Sequence, residues 1–206
     1  MNEPPRWTLG FVVALSTITS IVLAVSVFLI HGPTTRPDEL GYLLNGRVLA
    51  GHEETPLPGV RGFYQAGYSL VTAVGALFGA SIEVQFRVSL FINMFFVLLT
   101  GLALYALMTR HFSISARWAA LVAATISVAP SVAAYSLFAY AESLSRLLIA
   151  VVVLLVFEIS ASPTVSKMIT TGAVAAFLPV VHGRFVLLLP LTVFAMIGIA
   201  LFTQPR

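Results

Sequence analysis

The longest uncharged stretch of this chain runs over residues 7–35, and its apolar part, residues 7–30, holds 24 residues without a single Asp, Glu, Lys or Arg. Five further apolar runs follow it. A membrane-spanning helix needs about 20 mostly apolar residues, whereas the apolar core of a secretory signal has only about 7–15. The first run therefore reads as a retained anchor helix. Composition agrees: 59% of the 206 residues are hydrophobic and 9% charged, and the mean hydropathy is +0.99. A soluble domain runs near 45–50% apolar and about 25% charged, so a water-soluble globule is excluded. Eleven Lys and Arg against eight Asp and Glu give a net charge of +3. They are too few and too scattered for nucleic-acid binding. There is no cysteine, which excludes disulfides, thiolate catalysis and cysteine metal sites. His31, His52, His111 and His182 show no metal-ligand spacing.

The pattern predicts an all-α integral membrane protein, a single transmembrane domain over residues 1–206 with about six spans. The spans are 7–30, 87–108, 118–134, 143–159, 168–181 and 185–202. Residues 31–81 are expected as an outer loop with surface helices, and 82–203 as the region of the remaining five spans. Residues 31–63 hold Asp38, Glu39, Glu53 and Glu54, half of all the acids. Residues 64–81, with three glycines, are too short for a span and predict a membrane-surface or re-entrant helix. Six spans place both ends on one side, taken as cytoplasmic. Arg6, Arg110, Arg117, Lys167 and Arg206 then face inward, and Arg36, Arg47, Arg61 and Arg184 outward. The inner loops are short, so their density of positive charge is higher. The 31–63 loop, the 135–142 turn and the 182–184 turn all fall on the outer side.

Polar residues at those three places are the candidate site. Thr34 or Thr35 suits a helix cap, Pro37 a first turn, and Asp38 and Glu39 a positive helix N-terminus. Leu40, Leu44 and Val48 fall on one face, which predicts an amphipathic helix on the outer surface. Spacing allows the two acids to be capping groups or functional ones. Glu142 and Arg146, like Glu83 and Arg87, stand four apart in the order that favours a helical ion pair. Arg184, two residues after His182, fits a basic turn at lipid headgroups or a phosphate clamp. Arg61 fits a second phosphate ligand or a solvated loop residue. Tyr42, Tyr64 and Tyr68 sit where an interfacial aromatic belt is expected. Asn93 within the second span is expected to join helices.

The order of these features resembles the N-terminal part of the polytopic membrane glycosyltransferases with the C-type fold. That family includes protein O-mannosyltransferases, aminoarabinose transferases and many actinobacterial membrane sugar transferases. The resemblance rests on four stretches in order: PDELGYLLNGRVLAG, YQAGYSLVTAVGALFGASIEVQFR, AYSLFAYAESLSRLL and GAVAAFLPVVHGRFVLLLP. It covers roughly residues 7–203. Where some branches carry Lys-Pro, this chain has Gln65 and Ala66.

The resemblance implies transfer of a sugar from a polyprenyl-phosphate carrier to an acceptor on the extracytoplasmic face of a bacterial plasma membrane, with inversion. It gives Asp38 and Glu39 the catalytic acidic position and makes Glu142, His182, Arg184, Arg61 and Tyr64 substrate-binding. Some branches use Mg or Mn, which Asp38 and Glu142 would hold; others use no metal. Family members usually have more spans and an outer C-terminal domain, so a partner subunit is expected to supply further spans if this chain is not part of a longer one. The partners implied are the lipid-linked sugar donor and the bilayer, with no nucleic acid. Two other readings stand beside this one. The first is a non-catalytic subunit or scaffold of a larger glycosyltransferase or cell-envelope complex. The second is a small transporter, which the lack of charges near the midplane of any span opposes.

Overall fold

The structure is a computed structural model and describes residues 6–30, 32–34, 36–52, 64–78 and 81–202. Among the described residues every regular element is helical. In chain order these are α1 (Arg6–Leu29), α2 (Pro37–Leu49), α3 (Ala66–Phe78), α4 (Ile82–His111), α5 (Ala116–Ser127), α6 (Pro130–Ser136), α7 (Glu142–Ala161), α8 (Val165–Val181), a 3-10 turn (Gly183–Phe185) and α9 (Leu188–Phe202).

Among the described residues, three segments meet the length and apolarity needed to cross a membrane: α4, α7 and Gly183–Leu201. A fourth is reached if α5 and α6 form one bent crossing. The described part of the protein is thus all-helical, with the apolar helices of an integral membrane protein. Length and apolar character alone give fewer crossings than the six expected. Two expected spans account for part of the difference. The third, 118–134, is broken between α5 and α6 with a 55° bend. Pro130 opens α6; proline lacks the amide hydrogen that a continuous helix would use there. The fifth becomes α8, a helix of 17 residues with Pro179 near its end.

Large apolar side chains cover the outside of these helices. Phe95, Leu98, Ile169, Leu191, Phe194 and Leu201 are all more than half exposed or nearly so, surfaces that only an apolar solvent tolerates in such number. In lipid, helices associate through close packing of small residues and interhelical hydrogen bonds. The buried polar residues supply those bonds. Thr72 Oγ1 donates to the Tyr42 carbonyl at 2.7 Å. Gln85 Nε2 donates to the carbonyls of Leu43 at 2.7 Å and Thr72 at 3.2 Å. Together they staple α2 and α3 onto α4. Around them lies a core of Val27, Leu43, Tyr68, Phe86, Leu90 and Val181.

α3 is too short to cross a bilayer, its 13 residues spanning about 20 Å. It does not merely lie on the surface, however: Gly67, Tyr68, Thr72, Gly75 and Ala76 are buried against α2, α4 and α8. α2 also differs from expectation. Its buried face is Glu39, Tyr42, Leu43 and Gly46, while Val48 is exposed and Leu40 and Leu44 lie at the margin. Both sets have helical spacing; the glycine side wins because Gly46 lets α2 approach the Thr72–Ala73 backbone of α3.

The ends of the long helices separate two polar clusters. At the C-terminal end of α7, Glu158 meets Arg110 and His111 of α4, each at 3.3 Å, and Lys167 of α8 at 3.6 Å. Glu142 begins the same helix, sixteen residues and therefore about 24 Å away.

Candidate functional site

At the Glu142 end, three stretches that are distant in sequence enclose one open cavity of about 360 Å³. Arg36, just before α2, lines it together with Asp38 and Tyr42 of α2. Tyr135 comes from α6, Tyr140 from the turn before α7, Glu142 from the first residue of α7, and His182 from the end of α8. The cavity thus brings together the 38, 142 and 182 regions.

Asp38 is exposed on the first turn of α2, where a carboxylate suits the helix dipole. Tyr64 donates its hydroxyl to Asp38 Oδ1 at 3.1 Å. Burial, followed by that bond, raises the pKa of the Tyr64 hydroxyl above its ordinary value. Tyr42 lies between the rings of Tyr64 and Tyr68, at 5.3 and 5.1 Å. Burial, reinforced by the Glu142 and Asp38 carboxylates, pushes its pKa up to about 12. Tyr42 therefore stays a neutral donor at any physiological pH. Gly41 admits the Tyr64 ring against the α2 backbone, since a Cβ there would meet it.

Arg36 is held at the cavity by a hydrogen bond to Tyr140, which raises the guanidinium pKa, and by the face of Phe138 at 5.0 Å. The expected pair of Glu142 with Arg146 does not form. Glu142 Oε1 accepts instead from Arg184 at 3.3 Å, and Arg146 lies over the Tyr135 ring at 5.4 Å. A helical pair of this kind is worth only about 0.2–0.5 kcal/mol, little enough for Arg184 from the facing turn to displace it. The other expected pair, Glu83 with Arg87, is present at 2.7 Å.

Glu39 sits beneath the cavity, not on its wall. It is fully buried and accepts from Thr34 and from the Ala139 amide. Thr34 thus donates to Glu39 and does not cap α2; Arg36 occupies the cap position without a side-chain bond. Arg61, Thr35, Glu53 and Glu54 lie outside the described residues. Asp38 and Glu142 share the cavity, but among the described residues no group of three or more His, Asp or Glu is arranged to hold a metal. Mg is commonly held by one or two carboxylates together with phosphate oxygens, so these two form no cage by themselves.

His182 carries a testable electrostatic consequence. Burial first, and Arg184 next, hold its pKa below the ordinary histidine value. The unfolded chain then binds this proton more readily than the folded one. Stability is unaffected above about pH 6.5, the ordinary value, and declines as pH falls through it. Unfolding midpoints in detergent between pH 7.5 and 5 measure this, and His182→Gln should flatten that part of the slope. An unchanged slope in the variant would assign the decline elsewhere.

Arg36, Tyr42, Tyr135 and Tyr140 were not expected at the site. Arg36 adjoins the Pro-Asp-Glu run, and the tyrosines lie within the PDELGYLLNGRVLAG and AYSLFAYAESLSRLL stretches, but nothing in their spacing marks them as site residues. Compared with family models, curated proteins and solved structures, the chain matches none of them.

Proposed function

We propose that the protein is a membrane glycosyltransferase module that moves a sugar from a polyprenyl-phosphate carrier to an acceptor hydroxyl at the outer membrane face. One observation carries the reading: an exposed carboxylate, Asp38, shares a single cavity with Arg36 and with Glu142, the latter paired to Arg184. A base and two cations at one mouth are what inverting transfer from a lipid phosphate needs. The resemblance in the order of the four sequence stretches points the same way.

In this reading the acceptor oxygen attacks the sugar's anomeric carbon as the bond from that carbon to the phosphate oxygen breaks. Asp38 takes the acceptor proton, and the bonding pair leaves with the polyprenyl phosphate, which gains one negative charge. Arg36 and Arg184 offset that charge, each guanidinium matching phosphate oxygens and staying protonated. Glu142 keeps Arg184 at the mouth and binds sugar hydroxyls. Neutral His182 and Tyr42 supply hydrogen bonds. The membrane arrangement is six crossings, by α1, α4, the bent α5–α6 pair, α7, α8 and α9, with the Asp38 end extracytoplasmic and the Glu158 cluster cytoplasmic. An apolar slot of about 320 Å³ lined by Leu23, Met94, Gly101 and Ala123 lies beside α6 and accommodates part of the carrier's chain.

The test is the full-length protein in lipid nanodiscs, supplied with polyprenyl-phosphate hexoses and pentoses and a hydroxyl acceptor. Arg184→Ala should raise the donor KM about tenfold, the scale of one charge-assisted hydrogen bond, while the acceptor KM moves little. No transfer from any such donor by the wild-type protein, or an acceptor KM that moves as much as the donor's, defeats the reading.

A further inference from the structure

Two segments that wall the cavity are joined by one buried carboxylate. Glu39 Oε2 accepts from the backbone amide and, at 2.7 Å, the hydroxyl of Thr34. Glu39 Oε1 accepts from the amide of Ala139 at 2.8 Å. Neither Glu39 nor Ala139 has any exposed surface. Burying a carboxylate is costly unless its oxygens are hydrogen-bonded, and bonds to a charged acceptor are about twice as strong as neutral ones. Each oxygen has its own segment, so the carboxylate works as a two-pronged clip.

The second face of the same turn is also pinned. Asn93 Nδ2 donates to the Phe138 carbonyl at 2.7 Å, and the Tyr68 hydroxyl donates to Asn93 Oδ1 at 3.0 Å. Asn93 and Tyr68 are fully buried. The turn over 137–141 is therefore held on both sides of a single peptide group, by Glu39 at its N–H and by Asn93 at its carbonyl. On the cavity side, Glu39 directly follows Asp38, and the turn delivers Tyr140 and leads into Glu142. Arg36 reaches across to the same turn through Tyr140 and Phe138.

We propose that Glu39 is a positioning residue, supported by Asn93. It couples the Thr34–Asp38 segment to the 137–141 turn and so sets the spacing between Asp38 and the Glu142–Arg184 pair. The coupling is a property of the chain; its effect on turnover rests on the glycosyltransferase reading. Glu39 touches neither substrate nor acceptor and acts through the groups on either side of it. A glutamine keeps the shape but removes the charge and turns one acceptor into a donor, so one prong opens and the other weakens from a charge-assisted bond to a neutral one, and the Ala139 amide loses hold either way.

Hydrogen exchange and steady-state kinetics on the full-length protein in nanodiscs separate the two parts. In Glu39→Gln, amides of 138–141 should exchange about tenfold faster or more, the loss of one bond to a charged acceptor, while amides in the middle of α7 are unchanged. Asn93→Ala should loosen the same peptide from its other side, which keeps the test open if the first variant does not fold. Transfer by Glu39→Gln should lose kcat about tenfold while the donor KM rises much less, because the base moves relative to the acceptor and Arg184, outside the two coupled segments, still holds the phosphate. Unchanged exchange at 138–141 in both variants overturns the coupling. Faster exchange with undiminished kcat overturns the positioning role. A wild-type protein with no transferase activity defeats the enzymatic reading alone, and the exchange data then decide the coupling by themselves.

Discussion

Asp38→Asn is expected to reduce sugar transfer by about 10²–10⁴-fold, the usual contribution of a general base. The substitution is nearly isosteric and replaces the only carboxylate that both lines the cavity and lacks a cationic partner, among the described residues. Asn cannot take the acceptor proton, while the Tyr64 hydroxyl at 3.1 Å from Oδ1 still finds an amide oxygen to donate to. Because Asp38 is exposed, its loss should leave the unfolding midpoint and donor binding close to wild type. Kinetics and donor titration on the same preparation check both halves. Activity within a few-fold of wild type would remove Asp38 from the mechanism. Low activity with a collapsed midpoint would make the residue structural instead.

Gly75→Val is the substitution expected to cost the most stability. A Cβ at Gly75 would come within 2.6 Å of the Gln85 carbonyl oxygen and 2.8 Å of its Cα. Those atoms belong to the backbone of α4 and cannot swing aside as a side-chain tip would. α3 must then back away from α4, which also stretches the bonds from Gln85 to Leu43 and Thr72. Overpacking of a tight core costs roughly 1–3 kcal/mol, and here a loss near the upper end, about 3 kcal/mol, is expected. Gly172→Ala is the matched control: a Cβ there meets nothing within 4 Å, and alanine gains helix propensity of about 0.8–1.0 kcal/mol in soluble hosts. Denaturation of both variants in the same detergent gives the comparison. Equal midpoints for the two would mean that α3 does not rest on α4 as closely as Gly75 implies.

Apolar runs made the long helices legible in the sequence, because a charge-free stretch of that length has few other fates. The break at Pro130 was harder to place. A proline disfavours a continuous helix by its own chemistry, yet the expected span ran through it to 134, and the 55° turn and the second short helix beyond it come with packing against α4 and α7. On α2 the leucine face and the glutamate face have the same periodicity. What separates them is Gly46 opposite Thr72, a contact with a helix that begins twenty residues later. Asp38, Glu142 and His182 were legible as polar interruptions at corresponding ends of apolar runs. The role of Glu39 was not, since its partner is an amide one hundred residues away and any residue type offers an amide. Glu142 shows the same limit: its neighbour four residues on was the visible partner, and the chosen one, Arg184, arrives from another turn.

The Glu158 cluster gives the bundle a pivot. α4, α7 and α8 are fastened there through Arg110, His111 and Lys167, and Lys167 also ties its ammonium to the Glu158 and Ser162 carbonyls. These contacts tie the same ends of three helices to one carboxylate. A lever about 24 Å long then connects the clasp to Glu142. Any tilt of α7 about the clasp would therefore be felt in full at Glu142, whereas a tilt about its middle would be halved there.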